Sequence, residues 1–291
     1  MPKLKLAVFG KGRFGSHYIR ILNDRSDVEL VDSIDSGTPA DKLLNNPEID
    51  AVVLATPAST HFNLAKQAIL ASKHVLVEKP MVLSVADAEG LAADVKKSNQ
   101  VFMVGHQYVY NDHIRHLKKI IDEGSFGDIK QIAAEHLYPG PVREDVGAFW
   151  DAVPHELSIV DYLFGSLEIR QVTGKLSLGD DQRDDTVQAK VEFTSGLELT
   201  LKISRIAKEK VHTINFIGEK NKALYNDIDQ EAKLKIGDPD LEKVMVQASE
   251  PLANQIDHFI DAIKNGSTPL TDIEHGVRVT KHLEQVFSTI K

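Results

Sequence analysis

Three groups of residues in this 291-residue chain are of types and spacings that could do chemistry. Gly10-Lys11-Gly12-Arg13-Phe14-Gly15 reads GxGxxG between a strand-like apolar run, 4–9, and a segment of helical period starting at 13. In that setting Gly10 permits a tight turn, Gly12 lets the backbone approach a pyrophosphate, and Gly15 lets helix and strand pack closely. The helix N-terminus would turn free N–H groups and a positive dipole end to the phosphates, which is how a chain of net charge −9 can hold an anionic dinucleotide. Lys79 follows the strand-like run 74–78, at the edge where open α/β sheets bind ligands, and its charge can polarise a substrate oxygen. Asp151 and His155 are four apart, so on a helix they share a face. An imidazole can take up a proton near neutral pH, and the carboxylate can orient it or hold a neighbouring hydroxyl. Hydride acceptor, base and cation are the needs of secondary-alcohol oxidation.

These residues need a scaffold, and the first 110 or so positions supply its pattern. Runs 4–9, 28–34, 50–55, 74–78 and 101–105 read as strands, with helical spacing at 13–24, 60–72 and 84–98 between them. Strand alternating with helix implies a parallel sheet covered on both faces. After a helix at 112–123 the texture changes to polar-alternating strands at 129–137, 167–176, 184–194, 197–204, 211–217 and 222–226, the pattern of an antiparallel sheet with one wet face. Helices at 252–265 and 272–290 close the chain. The expected architecture is an α/β Rossmann domain with a doubly wound parallel sheet, 1–121. An α+β domain with a predominantly antiparallel open sheet, 122–291, would bind substrate and mediate oligomerisation, its C-terminal helix free to pack back on the first domain.

Composition narrows the chemistry. With 34 basic and 43 acidic residues, the chain lacks the concentrated positive charge that a nucleic-acid or anionic-membrane binder needs. It has no cysteine, which excludes disulfide scaffolds, thiolate zinc sites and a cysteine nucleophile. No run approaches the roughly 18 apolar residues of a spanning helix, and Met1-Pro2-Lys3-Leu4-Lys5 precedes too short an apolar run for a signal segment, so a cytoplasmic location is expected. Asp35 lies about 20 residues past Gly15 at the end of the second strand, where an acid holds the adenosine ribose hydroxyls. Asp32 competes from within the strand. An acid at 35 repels a 2′-phosphate and favours NAD, while Lys11 and Arg13 keep NADP open.

Two further strings raise the specificity. Ala55-Thr56-Pro57-Ala58-Ser59-Thr60-His61 follows the third strand, and His74-Val75-Leu76-Val77-Glu78-Lys79-Pro80 forms the fourth. With the glycine turn, and with Trp150-Asp151-Ala152-Val153-Pro154-His155 followed by Asp161, the chain resembles the glucose–fructose oxidoreductase/inositol dehydrogenase (Gfo/Idh/MocA) family over most of its length. The resemblance implies that Lys79 stands at the reacting centre with Asp151 and His155 as the other polar groups at the substrate. It also implies that Thr56, Pro57 and His61 skirt the nicotinamide ribose, with Phe14, Glu78 and Gln107 beside the cofactor and Tyr108 beside the substrate. Relatives often carry a basic residue where this chain has Val109, so Arg143, in a Pro/Gly loop, is the better candidate for an anionic substrate group, with a solvated loop charge as its alternative role. The form WDAVPHELSIVDYL looks like that of relatives that oxidise nucleotide-linked amino sugars at C3.

The resemblance thus implies an NAD-dependent dehydrogenase, with NADP possible, acting on a secondary alcohol of a sugar, cyclitol or nucleotide sugar. The alternatives are an NAD-dependent hydrolase or epimerase without net redox change, and a dinucleotide-responsive regulatory protein. The expected partners are a sugar-like small molecule and a second or further copies of the chain, as a homodimer or homotetramer; no nucleic acid, membrane or metal is expected. His17, His113, His116, His258, His275 and His282 fall on helices without spaced partners, which predicts surface positions. The interval 36–49 is shorter than relatives fill with a helix and a strand, so the adenine side of the sheet should be truncated.

Overall fold

Short runs such as Ala51-Val52-Val53-Leu54 are apolar at every position because both faces are covered, and all four of these residues are buried. The computed structural model describes residues 3–35, 39–140 and 143–291. In chain order the first elements are β1 (Leu4–Phe9), α1 (Arg13–Asn23), β2 (Val28–Ile34), α2 (Asp41–Leu44), β3 (Ala51–Leu54), α3 (Ala58–Leu70), β4 (His74–Glu78), α4 (Val85–Val95) and β5 (Phe102–Gly105). The five strands form one parallel sheet in the order β2-β1-β3-β4-β5. The order reverses beside β1, and a doubly wound sheet binds its ligand at that switch, outside the carboxyl ends of the strands. Among the described residues only α2 lies between β2 and β3, which leaves β2 at the sheet's edge and the adenine side short, as the interval predicted.

A 3-10 turn at Gln107–Tyr110 leads to α5 (Asp112–Asp122), β6 (Ile129–Pro139), α6 (Ala148–Phe164), β7 (Ile169–Leu178), β8 (Asp184–Phe193), β9 (Glu198–Ser204), β10 (Ile206–Gly218), β11 (Lys222–Asn226), β12 (Leu234–Gly237), β13 (Glu242–Lys243), α7 (Pro251–Asn265) and α8 (Ile273–Ile290). The strands form an eight-stranded sheet, β13-β12-β11-β10-β6-β9-β8-β7, antiparallel except where β6 pairs with β9. One face is covered: Leu199, Leu201 and Ile203 of β9 are buried, and α6 packs on β8 and β9. The other face is polar, with Glu135–Lys202 and Lys190–Glu198 ion pairs across strands. The strands β12 and β13 were not expected, and β10 begins five residues before the predicted start at 211.

The chain divides into two units, Met1–Gln107 with Glu250–Lys281, and Tyr108–Ser249 with His282–Lys291. The division therefore falls earlier than the border expected at 121, and α7 with α8 as far as Lys281 belongs to the first unit. The reason is the core: Ile273 and Val277 pack among residues of the parallel sheet and its helices, including Val77, Met81 and Val104. No helix among the described residues is long and apolar enough to cross a membrane.

Candidate active site

The glycines are required by close approach. Gly10 has φ +96°, and a Cβ there would lie 2.3 Å from the Ala55 carbonyl oxygen; one at Gly15 would lie 1.9 Å from the Gly10 oxygen. Gly12 differs, because nothing lies within 4 Å of its Cβ position. It is the N-cap of α1 and brings no cap side chain of its own, and the first turn holds no acid. The first amides of α1 and the open space above Gly12 fit a dinucleotide pyrophosphate. Lys11 and Arg13 are exposed beside them, and Phe14 is half-buried against Tyr18. The Gly10 amide donates to the Ile34 carbonyl at 2.8 Å, so the exposed Asp35 follows directly from the end of β2 at the same sheet edge. Asp32 instead accepts from the Ser33 amide and lies 3.8 Å from the Lys42 ammonium.

At the end of β4, Glu78 is held from both sides. The Tyr18 hydroxyl donates to its Oε1 at 2.5 Å, Gln255 donates to that hydroxyl at 2.7 Å, and the Lys79 amide donates to Oε2 at 3.1 Å. Both Glu78 oxygens are thus engaged inside the unit, one of them by the backbone amide of Lys79. Lys79 is itself mostly buried, and its peptide to Pro80 is cis. His61 is also fully buried, with Nδ1 2.8 Å from the Pro80 carbonyl oxygen and Nε2 2.9 Å from that of Thr56. It ties together the loops after β3 and β4. The Thr56 hydroxyl bonds that of Thr60, and Pro57 is the N-cap of α3. Gln107 is half-buried in the 3-10 turn.

In the second unit, Asp151 and His155 lie one turn apart on α6. This helix accommodates Pro154 in its interior and starts at Gly147, where a Cβ would strike the Asp184 carboxylate. Asp184 uses that closeness to accept from the Phe149 amide, satisfying a first-turn donor. The Tyr138 hydroxyl donates to Asp151 Oδ2 at 3.1 Å, while burial and that neighbouring carboxylate push the phenol's pKa up. Asp161 is buried on the same helix. Arg143 is bound to the Asp145 carboxylate through Nε at 2.8 Å and a terminal nitrogen at 2.5 Å. The pair lies within the loop, of which Pro141 and Val142 are outside the described residues.

Tyr108 is buried, its ring edge-on to those of His155 and His212, both 4.9 Å away. Its hydroxyl bonds His212 Nδ1 at 3.2 Å and donates to Asp227 at 3.1 Å, as part of a buried network. The network continues through Glu156, whose Oε1 lies 3.1 Å from both His136 Nδ1 and His212 Nε2. Burial alone would raise the Glu156 carboxyl, but the His212 charge and the two histidine bonds bring it down to about 2. Burial alone would lower His212, but Glu156 and Asp227 push it up to about 9. None of His136, Glu156, His212 and Asp227 was singled out from sequence. The available signal was Glu156, an acid inside the apolar run of α6, since a buried carboxylate needs partners. The prediction of surface histidines fails at two positions: His275 is buried against His106 (3.0 Å between ring nitrogens), and His282 is mostly buried with Nε2 2.8 Å from the Leu167 oxygen.

The chain matches two sequence profiles, that of the oxidoreductase family with NAD-binding Rossmann fold over residues 36–106 and that of the GFO/IDH/MocA C-terminal domain over residues 114–224. The chain belongs to the Gfo/Idh/MocA oxidoreductase family. Inositol 2-dehydrogenase of Rhizobium meliloti is 24% identical over 297 residues, 91% of this chain and 90% of that protein. The uncharacterised oxidoreductase YhhX of Escherichia coli is 30% identical over 202 residues, 66% of this chain but only 57% of YhhX. The match to an uncharacterised oxidoreductase of Streptococcus pneumoniae likewise spans 60% of that relative. UDP-N-acetylglucosamine 3-dehydrogenase of Acidithiobacillus ferrooxidans is 30% identical over 165 residues, 56% of this chain and 50% of the relative. A solved structure of that organism's enzyme GnnA shares the fold, with a TM-score of 0.89 over 100% of this chain and 98% of that one, at 24% identity. The two-sheet architecture described above is therefore this family's.

Proposed function

We propose that this Gfo/Idh/MocA protein is an NAD-dependent dehydrogenase of a secondary alcohol on a sugar, cyclitol or nucleotide sugar. The observation that carries the reading is the placement of Lys79 at the carboxyl edge of the same parallel sheet that presents the open, uncapped Gly12 turn. A nicotinamide dinucleotide bound there would supply the hydride acceptor. Lys79 polarises the substrate oxygen, His155 exchanges the hydroxyl proton, and Asp151, steadied by Tyr138, holds a neighbouring hydroxyl. The substrate class rests on the family and on relatives that are inositol and UDP-sugar dehydrogenases.

The test is turnover followed by NADH absorbance across inositols, free sugars and UDP-sugars, with NAD and NADP. Lys79→Ala and His155→Ala should each lower kcat by about 10²-fold or more while NADH still binds. An active Lys79→Ala protein would sink the mechanism. Asp35→Ala should erode the preference for NAD over NADP, read as the ratio of the two kcat/KM values.

A further inference from the structure

We infer that His136, Glu156 and His212 form a site for a divalent transition-metal ion of the zinc class within the second unit. One ligand atom from each, His136 Nδ1, a Glu156 oxygen and His212 Nε2, lie within 4.8 Å of one another. Two imidazole nitrogens with one carboxylate are the donors that zinc and its neighbours take, whereas calcium and magnesium call for oxygens. Bonds of about 2.0–2.2 Å in a tetrahedral site put donor atoms roughly 3.3 Å apart, close to the 3.1 Å from each nitrogen to Glu156 Oε1.

The backbone places two of the three donors. His136 on β6 and His212 on β10 are direct partners in antiparallel register, with rings stacked at 4.0 Å, and α6 brings Glu156 to them. Two observations point past a simple hydrogen-bonded trio. The second Glu156 oxygen, Oε2, is buried and has no hydrogen-bond partner among the described residues, on a side chain 1% exposed. The far nitrogen of His212 faces the Asp227 carboxylate at 3.6 Å and the Tyr108 hydroxyl at 3.2 Å. A carboxylate behind a histidine is the arrangement that turns the other ring nitrogen's lone pair toward a metal. The Tyr225 hydroxyl holds Asp227 in place at 2.8 Å. The rival occupant of the gap is a shared proton.

The experiment uses the full-length chain without a histidine tag, stripped with a chelator and dialysed against zinc chloride, with neither cofactor nor substrate present. Its result is thus independent of the dehydrogenase reading. We expect one zinc per chain retained through gel filtration and measured by atomic emission. His136→Gln and His212→Gln should each lose it, and His17→Gln, at an exposed position outside the trio, should keep it. Zinc no higher than in the buffer blank, or kept by both trio variants, overturns the site. Should the variants misfold, cobalt(II) bound to the wild-type chain decides: intense ligand-field bands of a four-coordinate nitrogen and oxygen site support the proposal, and the weak spectrum of an octahedral oxygen-bound ion overturns it.

Discussion

Glu156 sits between two histidines with almost no exposure, so in the metal-free chain the trio's stability must depend on pH. The pKa of His212 is raised from 6.5 to about 9, and a raised cation stabilises the fold fully below its unfolded value and loses that contribution as pH climbs through the folded one. Glu156 is lowered from 4.5 to about 2, so its contribution is complete above its unfolded value and is lost as pH falls through the folded one. Both contributions are whole only between these unfolded values, about pH 4.5 to 6.5. Differential scanning fluorimetry of chelator-treated protein should show Tm falling from pH 6.5 to 9. His212→Gln should lower Tm at pH 6 and flatten that fall; a parallel curve would refute the assignment. The close-packed turn at Gly10 and Gly15 was legible from local spacing, and the candidates Lys79, Asp151 and His155 came from short contiguous strings. His136 and His212 meet only through the register of β6 and β10, and no local spacing records a register.

Among the elements, hydrophobic period located the strands of the first sheet to within a residue or so, because each is short, apolar throughout and bounded by a helix. It missed β12 and β13, which are four and two residues long and carry little alternation to read. What periodicity cannot show is how closely elements pack, and two glycines differ sharply there. On α8, a Cβ at Gly276 would lie 2.6 Å from Met81 Sδ and 2.9 Å from Val104 Cγ2. The methionine can swing away but the stiff valine on β5 cannot, so Gly276→Ala should cost about 1–3 kcal/mol, measured by urea denaturation. At the start of α1, a Cβ on Gly12 meets nothing, and its φ of −64° suits any residue. Gly12→Ala should therefore leave the denaturation midpoint unchanged while weakening NADH binding, measured by fluorescence titration, since the added methyl occupies the space open to phosphate. Unaltered NADH affinity would count against the glycine turn as the cofactor's seat.

At the scale of the whole molecule, the first unit is discontinuous in sequence, which gives residues 250–281 a task that their distance from the glycine turn conceals. Gln255 completes the Tyr18–Glu78 chain behind Lys79, and Thr271 exchanges hydrogen bonds with the backbone of Val104 on β5. Arg25 pairs with Asp257, and Lys264 with Asp27. Leu252, Ile256, Phe259, Ile260, Ile273 and Val277 are all buried. At about 1.5–3 kcal/mol for each buried large apolar side chain, their loss amounts to roughly 10 kcal/mol or more. That is comparable with the whole stability of a domain, about 5–15 kcal/mol, so residues 1–107 cannot be expected to fold alone despite containing every strand of the parallel sheet. A chain stopped at Ser249 should be cleaved rapidly by trypsin in its first 107 residues and should not bind NADH. Joining 1–107 to 250–281 through a flexible Gly/Ser linker in place of 108–249 should restore both protease resistance and NADH binding. Cooperative unfolding and NADH binding by 1–107 alone would show that the two closing helices are dispensable to the cofactor unit.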